Sequence, residues 1–372
     1  MNTTWRQCTI GDVCDTISNT YNSNAQQVVL INTSDVLEGK VLNHIYIPNE
    51  NLKGQFKKTF EEGDILYSEI RPQNKRYAYI DFAPINYIAS TKLMVIRNKN
   101  IVKSKYLYYF LQSDKIISEL QMLAETRSGT FPQITFNELS KLSIKIPPLP
   151  EQDRIISILD SICKKIDINQ QINDNLEEQA KALFKSWFVD FDRNEWVHCE
   201  LGDITLITAG GDRPSKYTNK KTIECHVPIY SNGIDNEGLY GYTNVAKIHE
   251  ESITISARGT IGYVCLRLEP YVPIVRLISI IPNKKELSAK YLYLWALTQN
   301  ITGTGTTQQQ LTVPIFRKTP ISIPSDTKLK QFNSIADPLF SQIESNKKEN
   351  IKLSTLRDTL LPKLMSGEIS VE

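Results

Sequence analysis

Long polar side chains stand in two turn-rich parts of the chain. Arg71, Lys75 and Arg76 lie in IRPQNKR, with Lys92 and Arg127 further on; Arg213, Lys216, Arg258, Arg276 and the run Gln308, Gln309, Gln310 follow in the second half. The chemistry open to such groups is recognition without bond making. A guanidinium is a planar fork of donors that matches the O6/N7 edge of guanine, and a Gln amide matches N6/N7 of adenine. Lys or Arg on phosphate oxygens would position a partner without specifying sequence. Each of these residues is weighed against the ordinary alternative, a solvated surface charge.

Bond-making chemistry lacks its signatures. There is no Asn-Pro-Pro-Tyr or Asp-Pro-Pro-Tyr, no glycine-rich loop closing on Gly-Lys-Ser/Thr and no H-E-x-x-H. His44, His198, His226 and His249 are scattered. Cys199 beside His198 and Cys225 beside His226 suggest a metal pair, but neighbours on a strand point to opposite faces. GGDRPSKY, residues 210–217, lacks phosphate-loop spacing and reads as a turn that presents Arg213. No catalytic residue, metal ligand or cofactor is therefore expected in this chain. The six cysteines (8, 14, 163, 199, 225 and 265) form no C-x-x-C pair and read as reduced thiols. With no long apolar run and a polar start, the chain is expected to be cytoplasmic and to span no membrane.

The 372 residues, 41% of them hydrophobic, are enough for several cores, and the net charge of only +2 rules out a uniformly basic coat. Residues 1–150 carry +3, 151–195 carry −4, 196–327 carry +2 and 328–372 carry +1. Any nucleic-acid contact must come from local patches on the two basic segments, and the acidic one should face something else.

What positions these patches is a repeat. WRQCTIGDV at Trp5 returns as WVHCELGDI at Trp196. DILYSEIRPQNKRYAYI answers to SITISARGTIGYVCL, IASTKLMVIRN to VPIVRLISIIP, and KYLYYFLQ to KYLYLWALTQ. SGTFPQITFNELSKLSIKIP closes the first half as GTTQQQLTVPIFRKTPISIP closes the second. The offset between halves shrinks from 191 to 185 to 177, so only loops differ in length.

After each closing Ile-Pro the apolar period changes from two to about three and a half. Ile155, Leu159, Ile162, Ile166, Leu176, Ala180, Leu183 and Trp187 mark one long helix; Phe332, Ala336, Leu339, Ile343, Leu353, Leu360 and Leu364 mark its counterpart. Asn169 and Asn173, and 177 residues later Asn346 and Asn350, fill the gap in each stripe. About 36 residues make a rod roughly 54 Å long. A seam polar at its middle suits two antiparallel copies, with the asparagines selecting register. The predicted segments are 1–150, a first globular domain; 151–190, a spacer helix; 191–327, a second, similar domain; and 328–372, a second helix. In ALFKSWFVDF the spacing assigns Leu183 and Trp187 to the seam and leaves Phe184 and Phe188 to one side, as a patch for a partner helix. Leu361 and Met365 would repeat that patch.

The double W…GD opening, IRPQNK and ARGTIG, IPPLPEQDRIISILD and the helix ends LFKSWFVDFD and LLPKLMSGEI together resemble the specificity subunit of type I restriction-modification systems, over essentially the whole chain. The pattern departs at IPSDTKLKQF, where a PLPEQ-like helix start is expected. The resemblance implies an α+β protein: two similar α/β target recognition domains separated by a long antiparallel two-helix coiled coil, pseudo-twofold symmetric. It implies a bipartite double-stranded DNA target, two methyltransferase subunits and restriction/translocase subunits as partners, with S-adenosylmethionine, ATP and Mg belonging to those partners. The assembled complex would be an adenine-N6 methyltransferase and site-specific deoxyribonuclease. A free-standing duplicated DNA-binding regulator and a coiled-coil scaffold with no nucleic-acid role compete with this reading.

Overall fold

The computed structural model describes residues 5–50, 54–127, 130–190, 196–283, 287–299, 301 and 311–371. It divides into two compact units. Unit 1 comprises residues 1–168 and 349–372, and unit 2 residues 169–348. Each unit thus joins one sheet-bearing domain to part of both long helices, so the division falls within the helices and not at their ends. Those helices run Leu149–Phe184, continued by a π-helical turn Lys185–Val189, and Asp326–Ser366. They begin two residues ahead of the expected 151 and 328. Among the described residues no helix is long and apolar enough to cross a membrane.

In unit 1 the opening strand Arg6–Thr9 pairs antiparallel with the closing strand Ser143–Ile146, Cys8 opposite Ile144. The GD that follows makes a single helical turn. The Asp12 carboxylate accepts from Thr9 N and Oγ1, both at 2.8 Å, and these bonds hold its pKa below the ordinary value. Gly11 packs closely on the closing turn, where a Cβ would lie 3.2 Å from that of Ser140. An antiparallel sheet orders Cys14–Ile17, Leu93–Asn98, Ile65–Ser68 and Tyr77–Tyr79; a second orders Ile47–Pro48, Gln27–Ile31, Tyr87–Ser90 and Phe56–Lys58, with its central pair parallel. Helices Ser104–Leu111 and Asp114–Arg127 bury Tyr106, Leu107, Ile117 and Leu120 in one core with Ile155 and Leu159 of the first long helix and Leu361 and Leu364 of the second.

Unit 2 repeats this plan. Val197–Glu200 pairs with Pro320–Ile323, placing Cys199 opposite Ile321. The order Thr205–Ala209, Ile278–Pro282, Ser252–Ile255, Val264–Arg267 reproduces the first sheet, and Val227–Tyr230 again pairs parallel, here with Val272–Pro273. Helix Ala289–Leu297 packs Tyr291, Leu292 and Trp295 against Phe332 and Ala336.

The two helix starts use different chemistry. In unit 1 the buried Gln152 donates from Nε2 to Pro147 O (2.8 Å) and accepts from Lys103 N (2.8 Å), while Pro150 in the first turn forgoes no bond. In unit 2 the matching Leu329 is simply core, and the Ser325 carbonyl receives Leu329 N at 3.0 Å. The departure at IPSDTKLKQF therefore changes how the helix is anchored, not whether it forms.

Within each unit the helical segments run antiparallel. In unit 2 Asn346 Nδ2 donates to Asn173 Oδ1 at 2.8 Å, and both are buried; in unit 1 Asn350 Nδ2 reaches Ile166 O at 3.3 Å. Asn169 is buried as well. All four asparagines thus sit in or beside the seam, as the spacing predicts.

The expected docking patch is not a surface. Phe184 and Phe188 are 2% exposed and Leu361 and Met365 6%. Phe188 packs edge-on against Phe332, Tyr291 and Trp196 at 5.0, 5.1 and 5.7 Å, and Phe184 against Tyr291 at 5.1 Å. Leu361 and Met365 lie in the core of unit 1. Leu183 and Trp187, assigned to the seam, are only partly buried. A wheel drawn for one helix facing one other helix buries a single stripe. Here the recognition domain encloses the helix end from a second side, so the neighbouring stripe is the more deeply buried one.

Candidate nucleic-acid interface

In unit 1 the strand Ile65–Ser68 runs into residues 69–76, a turn fixed at many points. Glu69 N donates to Lys92 O (3.0 Å), Ile134 N to Glu69 O (2.8 Å) and Arg71 N to Pro132 O (3.1 Å), with a bridge between Ile70 and Gln133. These bonds bring Arg71, Lys92 and the 131–134 loop onto one surface. Pro72 is buried, and Gln73 N donates to Oε1 of the buried Gln121 at 3.2 Å, tying the turn to the helix Asp114–Arg127.

The candidate cations differ in how far they are committed. Lys92 Nζ bonds Gln133 Oε1 at 3.1 Å and lies 3.7 Å from Glu69. Lys75 pairs with Asp114 at 3.4 Å and Arg127 with Glu138 at 3.5 Å; both are surface pairs that a phosphate can displace. Arg76 is different, because its Nη1 donates to the carbonyls of Ser34 (3.0 Å) and Val36 (3.4 Å). It ties two segments of its own fold and is withdrawn as a reader. Lys58, not picked out from sequence, is likewise internal. It donates to the carbonyls of Thr91 and Leu93, and burial depresses its pKa. Gln133 was also missed, although it lies in the repeated Gly/Thr/Gln loop.

In unit 2 the double glycine lies along the 273–276 backbone: Arg276 N donates to Gly210 O (2.8 Å) and Val275 N to Gly211 O (2.9 Å). Only glycine permits this approach at 210, where a Cβ would lie 2.7 Å from Ile274 N. Asn232 pins the adjoining loops, accepting from Ala257 N at 2.8 Å and donating to Val275 O at 2.6 Å. Arg258 and Arg276 are thereby held on neighbouring loops, with exposed Lys247 beside Gly211. Arg213 is exposed and sits over Tyr217, 3.9 Å from the ring centre, with Nη1 donating to Tyr240 OH at 3.0 Å. Lys216 is engaged by Glu224. Gln308, Gln309 and Gln310 lie outside the described residues.

The sequence reading also missed Asn232, Lys247, Tyr217 and Tyr240, which lack any spacing signal because the loops that carry them meet only in the fold. Arg267 is a cation of another kind, 4% exposed. It stacks on Tyr230 at 3.5 Å, donates from Nε to Thr254 Oγ1 at 3.0 Å and from Nη2 to Glu237 O at 2.6 Å. Alternation along Val264–Arg267 turns it inward, where it supports the fold.

Comparison with known proteins is consistent with this geometry. The model of the type I restriction modification DNA specificity domain matches residues 2–178 and 193–355. The type I restriction enzyme HindI specificity subunit of Haemophilus influenzae is 33% identical, over 98% of this chain and 99% of that protein. The MjaIX specificity subunit of Methanocaldococcus jannaschii is 28% identical over 78% and 76%. A crystal structure of the type I restriction-modification system S subunit from M. genitalium has the same fold, with a TM-score of 0.54, 18% identity and 98% and 96% coverage.

Proposed function

The chain belongs to the type I restriction-modification DNA specificity family, and from that premise we propose that each of its units reads one half of a bipartite double-stranded DNA target. The observation that carries this reading is the same scaffold built twice, with one four-stranded sheet in the same order and the opening and closing strands paired in the same register, bearing unlike cation-rich loops. In unit 1 the readers are Arg71 and Lys92, with Lys75 and Arg127 on phosphates; in unit 2 they are Arg213, Arg258 and Arg276, with Lys216 on phosphate, and the amides of Gln308, Gln309 and Gln310 are assigned to the same task by residue type alone. Phosphate contacts fix the register, and base contacts specify.

The chain performs no bond chemistry in this reading. Methyl transfer to adenine, with S-adenosylmethionine, belongs to methyltransferase subunits, two per chain. ATP and Mg belong to restriction/translocase subunits, and the assembly works in the cytoplasm. The buried seam asparagines set the pairing of the helices at some cost in stability. Docking passes from the buried Phe184, Phe188, Leu361 and Met365 to apolar side chains that the helices expose, of which Ile158 and Ile335 stand at the repeat offset.

Exchanging residues 196–324 for the second domain of another specificity subunit tests the reading. Methylation motifs mapped by sequencing are expected to change in one half of the site and stay unchanged in the other. Altered bases in both halves would sink independent readout.

A further inference from the structure

We propose that Arg71 is the guanine reader of the half-site that unit 1 recognises; this rests on the DNA-reading function above. Arg71 occupies the left-handed region, φ 45° and ψ 76°, which L side chains rarely adopt. Unit 2 identifies what the backbone alone requires there. Ile134 N closes on Glu69 O in unit 1 as Leu311 N closes on Ala257 O in unit 2, so Arg71 corresponds in place to Gly259, which has φ 68°. Glycine satisfies this turn without strain, yet unit 1 has an arginine in it. An outlier of this sort is an argument for function at the side chain.

The surroundings say what that function is. The turn is held by Arg71 N on Pro132 O, Asn74 N on Arg71 O (2.8 Å), Lys75 N on Pro72 O (2.9 Å) and Gln73 N on Gln121. Nearby cations are engaged: Lys75 with Asp114, Arg76 with two carbonyls, Lys92 with Gln133. The Arg71 side chain is exposed and, among the described residues, has no hydrogen-bond or ion-pair partner. A phosphate contact needs only charge at a loose distance, which the lysines supply. A two-pronged bond to guanine O6/N7 needs the fork held at a set angle, and a backbone anchored on both sides of one residue provides that.

The test uses the chain assembled with its methyltransferase subunits, mapping methylated motifs and measuring competition by duplexes carrying each base in turn along the unit 1 half-site. Arg71→Gly should fold, with a Tm unchanged or higher. It should lose discrimination for guanine at one position of that half-site by about 5- to 150-fold, the other half unaffected. Arg71→Asn keeps a residue that tolerates the left-handed turn and should do the same, so a folding failure of one variant leaves the other decisive. Arg71→Lys should retain the salt dependence and still lose the discrimination. Discrimination kept within twofold in both Gly and Asn variants overturns the proposal and leaves the function of unit 1 standing. Uniform weakening over all sequences, with the salt slope reduced by about 1, makes Arg71 a phosphate contact and overturns it too. A parent protein with no preference in either half-site overturns the reading on which it rests.

Discussion

The two units share the polar ties between domain and helix and differ in the core that lines the helices. Lys105 pairs with Asp160 at 2.7 Å and Lys290 with Asp337 at 2.8 Å; Tyr106 OH donates to Lys145 O at 2.9 Å and Tyr291 OH to Ser322 O at 3.1 Å. These partners stand at the repeat offsets of 185 and 177. The helical lining does not agree. Unit 2 packs Phe184, Phe188, Phe332 and Phe340 where unit 1 has Leu361, Met365, Ile155 and Cys163, and Ala180 of unit 2 answers to Arg357 of unit 1. In unit 1 Cys163 and Arg357 line a groove of about 760 Å³ with Tyr79, Tyr108 and Asp358. In unit 2 Phe340 packs edge-on against Tyr293 at 6.0 Å. A fixed mount thus carries an aromatic core on one side and a mixed, partly open one on the other, and the reading loops vary without disturbing either.

The largest test of this difference is truncation at matched positions. Phe188→Ala removes a ring with five aromatic neighbours and is expected to lower the stability of unit 2 by about 4 kcal/mol; Met365→Ala, at the same place in unit 1, should cost about 2–3 kcal/mol. Calorimetry of the full chain, with each transition assigned by its own variant, reads both values. An equal or larger loss for Met365→Ala removes the distinction between the cores, and a negligible loss for Phe188→Ala would restore it as a surface residue.

That same stripe shows where sequence stops being informative. The repeat, both long helices, the antiparallel seam and the asparagines within it follow from period and offset, because a helix or strand buries residues at a fixed interval. Burial of Phe184 and Phe188 did not follow, since periodicity reports which residues share a face and not how many neighbours cover it. The loops were legible only as residue types. Arg71 and Arg76 look alike in IRPQNKR, yet one is free and strained and the other bonded to Ser34 and Val36 carbonyls. The paired bonds of Ile134 and Leu311 set Arg71 beside Gly259, where residue type alone gives no hint of the strain. Asn232, Lys247, Tyr217 and Tyr240 join the interface through long-range contacts that no local pattern encodes.

Docking offers a test of intermediate size. Ile158 and Ile335 are exposed at 36% and 45%, one in each unit and at the same offset. If these mark equivalent partner sites, Ile158→Asp and Ile335→Asp should each weaken capture of one methyltransferase subunit by about 30-fold or more, as expected for an interface anchor, with little change in Tm. Native mass spectrometry would show one subunit lost per variant and both lost in the double variant. Full occupancy in the double variant would place docking elsewhere and leave the helices equivalent in packing alone.

The smallest expected effect is one of sign. Asp167 and Glu344 occupy matching places, but Asp167 pairs with Lys40 at 2.5 Å on an open surface, whereas burial pushes the Glu344 carboxyl up. Lys347, 3.9 Å away, pulls it down but also bonds Glu237 at 2.7 Å; Glu237 and Glu269 raise it further, and Lys348 opposes them. With its folded pKa above the unfolded one, Glu344 binds more proton in the native state, so its contribution falls as pH rises from the unfolded pKa through the folded one. Glu344→Gln should therefore raise the Tm of unit 2 by about 1–2 °C at pH 7, with the gain shrinking toward pH 4. Asp167→Asn loses a surface pair worth about 0–1 kcal/mol and should lower the Tm of unit 1 slightly at pH 7. Melting curves at the two pH values would show shifts of opposite sign. If both variants stabilise, or both destabilise, the two carboxylates share one environment and the contrast between the units does not extend to this pair.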